Sequence, residues 1–81
     1  MYQLVTRQDC TYCEQAKSLL AEKSMIFEEI QIGRDITRDE VLAKYPGLKT
    51  LPIVIKNDVV LGGWAELLDD MYPPLETRND G

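Results

Sequence analysis

Apolar and polar positions along the chain alternate between two periods, and the changes of period divide it into seven segments. Tyr2-Gln3-Leu4-Val5-Thr6 is short and β-prone and runs into a polar turn, Arg7-Gln8-Asp9, which predicts a first strand. From Thr11 to about Lys23, Ala16, Leu19 and Leu20 recur at helical spacing, with Glu14, Gln15, Lys17 and Glu22 opposite them. Thr11 with Glu14 fits a capping box at the start of this helix. The stretch from Met25 to Ile32 alternates from Phe27 onward and predicts a second strand ended by Gly33. Thr37-Arg38-Asp39-Glu40 is another capping box; Val41, Leu42 and Tyr45 follow it, and Pro46-Gly47 stops the short helix. Pro52 to Lys56 predicts a strand, Asn57-Asp58 a turn and Val59-Val60-Leu61 the hairpin partner. Gly62-Gly63 breaks the pattern, and Trp64 to Met71 predicts a third helix with Leu67, Leu68 and Met71 at core spacing. Tyr72-Pro73-Pro74 ends that helix, and residues 76–81 read as a frayed polar tail.

The order β-α-β-α-β-β-α predicts an α/β fold. A parallel pair joined by a crossover helix lies beside an antiparallel hairpin, giving a four-stranded mixed sheet with helices on both faces. At 81 residues and 44% hydrophobic content, the chain is expected to form a single domain, 1–81, with one modest core. The net charge of −5 and the lack of any block of Lys and Arg argue against nucleic-acid binding, which depends on neutralising phosphates. No charged-then-apolar leader opens the sequence and no apolar run nears the roughly 18 to 20 residues of a membrane span, so a soluble protein is expected. Two cysteines allow at most one intramolecular disulfide, whereas small secreted domains are usually disulfide-dense. That count points to the cytoplasm.

Both cysteines lie in Cys10-Thr11-Tyr12-Cys13, where the first strand gives way to the first helix. A helix N-terminus concentrates unpaired N–H groups and positive dipole, so a thiolate at Cys10 is stabilised and its pKa falls. Cys13, within the first turn, is close enough to attack a mixed disulfide formed by Cys10. The spacing thus offers a nucleophile and a resolver. Two plainer readings stand beside this one. A structural disulfide would close a loop too short to remove much unfolded-chain entropy. A zinc site needs about four ligands, and the chain has no further cysteine and no histidine. A cytosolic Cys-x-x-Cys in a βαβ context reads as a thioredoxin-like redox motif.

Several separated motifs together resemble the glutaredoxin family over almost the whole chain. Cys10-Thr11-Tyr12-Cys13 is similar to the family's Cys-Pro-Tyr-Cys, Thr50-Leu51-Pro52 to its Thr-Val-Pro, and Gly62-Gly63-Trp64-Ala65-Glu66 to its Gly-Gly element before the last helix. Arg7 stands where the family often carries a lysine. The short length resembles bacterial and bacteriophage members. The resemblance implies a thioredoxin fold with a cis peptide bond before Pro52, facing the cysteines. It further implies that glutathione pairs its cysteinyl group with the Leu51 backbone beside Thr50, meets Arg7 with its glycine carboxylate, and sets its γ-glutamyl carboxylate at the Gly63-Trp64-Ala65 turn. Tyr12 would line the groove beside the sulfur.

Each of these residues also has a bland reading. Arg7 fits a solvated turn, Tyr12 a half-buried helix position, Thr50 a β-former entering a strand, and Gly62-Gly63 a plain strand-to-helix turn. Trp64 fits the core, lending the site only its backbone. Two departures from the family pattern bear on the chemistry. Thr11 replaces proline at the first helical position, which leaves the redox potential unassigned, and acidic Asp9 beside Cys10 opposes thiolate formation. Lys49 would offset Asp9 if its side chain faces the groove.

The resemblance implies a glutathione-dependent thiol–disulfide oxidoreductase. Its expected substrates are protein disulfides and glutathione mixed disulfides, with ribonucleotide reductase one possible protein partner. Glutathione is the reducing co-substrate, and no metal, nucleic acid or membrane enters the expected chemistry. A monomer in the cytoplasm is expected, the host's cytoplasm for a phage-encoded protein. Two alternatives stay open: a redoxin of the same fold served by thioredoxin reductase, and a non-enzymatic dimer holding a [2Fe–2S] cluster through Cys10 and glutathione.

Overall fold

The computed structural model describes residues 1–72; the expected tail at 76–81 lies outside them. In chain order the elements are β1 (Tyr2–Thr6), α1 (Thr11–Glu22), β2 (Phe27–Gln31), α2 (Arg38–Lys44), β3 (Ile53–Lys56), β4 (Val59–Gly62) and α3 (Trp64–Met71). They form one mixed sheet in the order β2-β1-β3-β4. β1 runs parallel to β2, with Leu4 opposite Glu29, and antiparallel to β3, with Leu4 opposite Val54. β3 and β4 close the hairpin. Asn57 and Asp58 both have positive φ, 51° and 68°, as a two-residue primed turn requires. The arrangement is the α/β thioredoxin fold expected from the element order and the resemblance.

β1 alternates its side chains between the two faces of the sheet. Tyr2 and Leu4 meet Ala16 and Leu20 of α1, Leu67 of α3 and Val54 of β3. Val5, with Ile53 and Ile55, meets Val41 of α2 on the other face. The C-terminal half of α3 is fastened by Tyr2, whose hydroxyl donates to Asp70, and by Lys56, whose Nζ lies 3.1 Å from the same carboxylate. Burial, and next the Asp70 hydrogen bond, push Tyr2 up to about 12. Among the described residues, no helix is long and apolar enough to cross a membrane.

Element ends depart from the sequence pattern for local reasons. The second strand begins at Phe27 rather than Met25, because the Met25 N–H turns back to the Leu20 carbonyl and closes α1. At its other end the Gly33 N–H is drawn to the Ile36 carbonyl, and Ile32 forms only an isolated bridge. The box at Thr37 and Glu40 forms in both directions, at 3.1 and 2.8 Å. The one expected at Thr11 and Glu14 does not. Cys10 is the N-cap of α1, Thr11 is the first helical residue, and Glu14 pairs with Lys17 at 3.0 Å.

Candidate active site

Asp9, at φ 57°, bends the chain sharply ahead of Cys10, in a left-handed conformation that Asp tolerates better than bulkier residues. Cys10 stays extended, at φ −116° and ψ 107°, and caps α1 with its sulfur: Sγ accepts the Cys13 backbone N–H at 3.2 Å. A thiolate at this position would accept the same N–H as a charge-assisted bond. Cys10 and Cys13 are joined as a disulfide, their Cα atoms 5.2 Å apart. Cys10 is 7% exposed and Cys13 fully buried, so an incoming group reaches Cys10 first.

Cys10 Sγ lies 3.9 Å from the Leu51 carbonyl oxygen. The Leu51–Pro52 peptide is cis, and Leu51 stands just before β3, outside the sheet ladder. Around this point an open groove of about 1130 Å³ separates the cysteine loop from α2 and the loop after it. Arg7, Cys10, Tyr12, Thr50 and Leu51 all line it. Lys49 lines it too, on a rim shared with Asp9. Arg7 turns its guanidinium partly back onto its own loop, with Nη1 donating to the Gln8 carbonyl at 2.9 Å. Tyr12 is 54% exposed, and its ring centre lies 6.1 Å from that of Trp64, which also packs on the core shared by α1 and α3.

Gly63, Trp64 and Ala65 are not in the groove wall. Gly63 nonetheless abuts it: a Cβ built there would come to 3.5 Å from the Pro52 carbonyl oxygen and 3.7 Å from Thr50 Oγ1, ordinary contacts. Gly63 caps α3 without a side-chain acceptor, which leaves the first N–H groups of that helix open to an anion. Its own N–H is taken by Glu66 Oε1 at 2.7 Å. Gly62 is the position that demands glycine. Its φ is +136°, and a Cβ there would fall 2.7 Å from Glu66 Cγ.

A polar cluster ties β1, α1 and β2 together. Thr6 Oγ1 donates to Glu29 Oε2 at 2.7 Å, and Lys17 Nζ lies 3.0 Å from the same oxygen. The Thr6 hydrogen bond, then Lys17, hold the Glu29 carboxyl below its usual range against the opposing effect of burial. The motifs did not point to this cluster, nor to Arg38, Leu42 and Leu48, which also line the groove. Arg38 did carry a signal. It opens α2, where a cation opposes the helix dipole, so helix stability does not explain it. Among the described residues, no group of three or more His, Cys, Asp or Glu side chains is placed to hold a metal ion.

A family model described as Glutaredoxin matches residues 2–61. Glutaredoxin 1 of Rickettsia felis is 35% identical over 69 residues, spanning 82% of this chain and 67% of the relative. Glutaredoxin 3 of Escherichia coli K12 is 31% identical over 70 residues, spanning 86% and 80%. Among solved structures, glutaredoxin 1 from Francisella tularensis, complexed with cacodylate, superposes with a TM-score of 0.72 at 26% identity, covering 86% of this chain and 90% of that one.

Proposed function

Because this chain belongs to the glutaredoxin family and is a thiol–disulfide oxidoreductase, we propose that glutathione is its electron donor and that it reduces protein disulfides and glutathione mixed disulfides. The Cys10 thiolate attacks one sulfur of the substrate disulfide, and the other sulfur leaves as a thiolate. For a protein disulfide, Cys13 then attacks Cys10 Sγ and frees the second substrate thiol. Two glutathione molecules restore the dithiol and depart as glutathione disulfide.

The observation that carries this reading is the placement of Cys10 Sγ, 3.2 Å from the Cys13 N–H and 3.9 Å from the Leu51 carbonyl, at the mouth of an open groove. The Leu51 backbone can pair with an extended peptide, and glutathione is one. Arg7 offers a cation to its glycine carboxylate. At the other end the γ-glutamyl group carries both a carboxylate and an ammonium. The open N–H groups of α3 favour the first, and the Glu66 carboxylate favours the second. Tyr12 and Thr50 line the wall between these ends, Pro52 is buried behind it and follows Leu51 through the cis bond, and Gly63, Trp64 and Ala65 contribute backbone.

In this reading the protein is a monomeric single domain, 1–81, working in the cytoplasm, where the surroundings keep thiols reduced. Ribonucleotide reductase is one candidate protein substrate, as the family resemblance implies. A coupled assay tests the electron source. Turnover of a mixed disulfide should be sustained by glutathione with glutathione reductase and be far slower with thioredoxin reductase. The reverse order would contradict the proposal.

A further inference from the structure

The chain carries 14 carboxylates and nine Lys or Arg side chains, yet the groove beside Cys10 has the opposite balance. Arg7, Arg38 and Lys49 line it, against Asp9 alone. All three cations are exposed, and none forms an ion pair with a carboxylate among the described residues. Arg38 sits at the start of α2, against the dipole of its own helix. The same groove is lined by apolar side chains: Val41 is buried, Leu48 and Leu51 are half-buried, and Leu42 is 50% exposed. Pockets for drug-sized ligands run to roughly 300–1,000 Å³. At about 1130 Å³ this groove has room for a peptide segment longer than a tripeptide.

We propose that the groove selects protein substrates in which the reactive disulfide lies in an extended segment flanked by acidic side chains. The segment pairs with the Leu51 backbone, sets an apolar side chain against Leu42 and Leu48, and places its carboxylates near Arg38 and Lys49. This local preference runs against the field of the whole molecule, since a net charge of −5 by itself repels an acidic peptide and attracts a basic one. The proposal rests on the reading of Cys10 as the attacking sulfur and makes no use of glutathione.

The test uses the reduced protein in single turnover without glutathione, so that failure of the glutathione reading leaves it untouched. Three synthetic peptides share one intramolecular disulfide and differ only in flanking residues: glutamate, glutamine or lysine. In each turnover the protein dithiol becomes a disulfide and the peptide disulfide becomes two thiols, two electrons and two protons passing to the peptide. Acid-quenched chromatography gives the rates. We expect the glutamate peptide to react about fivefold or more faster than the lysine peptide at low ionic strength, the gap closing in 0.5 M salt at about a 4 Å screening length. The double variant Arg38→Gln, Lys49→Gln should bring that ratio to one or below, since these two cations then no longer offset the repelling field of the whole molecule. Using a ratio cancels any common change in Cys10 reactivity, and a melting curve checks that the variant is folded. A faster lysine peptide, equal rates at low salt, or an unchanged ratio in the folded variant would each overturn the proposal.

Discussion

On one face of the sheet, α1 and α3 bury Leu20, Ala16 and Leu67 completely against Leu4 and Val54; on the other, the seven-residue α2 buries Val41 alone. The thick face is a scaffold. The thin face leaves Leu42, Leu48 and Leu51 partly open beside Cys10, and that incomplete cover is the groove. Apolar side chains are thus spent on stability where two helices cover the sheet, and left accessible where one short helix does. Cys10 stands at the boundary, capping a scaffold helix while its sulfur faces the groove.

Truncation should separate the two faces most sharply. Leu67→Ala removes a fully buried side chain between α3 and the sheet and should cost about 2–5 kcal/mol in denaturant unfolding. Leu42→Ala, at a half-exposed helix position, should change stability by no more than about 0.5 kcal/mol while slowing reduction of protein disulfides. Similar stability losses for the two would erase the distinction.

A smaller effect is expected at Glu29, which joins β2 to β1 and α1. Its folded-state pKa lies below the ordinary 4.5, so its ionised form stabilises the fold above that pH, and the contribution is lost as pH falls through the lower folded value. Glu29→Gln should lower stability at pH 7 by about 1 kcal/mol, the side chain being partly exposed. It should also flatten the decline in stability below about pH 4.5. An unchanged acid limb in urea titrations at stepped pH would deny Glu29 this role.

The smallest effect on stability belongs to Arg7, whose guanidinium is exposed on the groove rim. Arg7→Ala should leave the melting temperature nearly unchanged and reduce kcat/KM for glutathione about fivefold. Equal kinetics in variant and parent would leave Arg7 as a turn residue only.

The fold was legible in the sequence because period, caps and turns agree along most of the chain. The Thr37 box, the Asn57-Asp58 turn and the Trp64–Met71 helix all stand where the pattern sets them. The Thr11 box failed because two caps compete one residue apart, and only a Cys10 cap satisfies the Cys13 N–H while holding the two sulfurs together. In the site, the motifs marked Cys10, Cys13 and Leu51, which the fold brings together from positions 41 residues apart or less. They did not distinguish Gly62 from Gly63. That difference depends on where the Glu66 side chain folds, which spacing does not encode. Arg38 escaped notice for a similar reason: its place on the rim comes from how α2 packs against the sheet.

The central claim is that Cys10 attacks and Cys13 resolves. Intact-mass spectrometry of Cys13→Ser, incubated with a disulfide-containing protein substrate, tests it most directly. Without the resolver, the intermediate should persist as a one-to-one covalent adduct through Cys10, removed by dithiothreitol, and protein-disulfide turnover should largely stop. A folded variant that forms no adduct, or that turns over protein disulfides at the parent rate, would contradict the account.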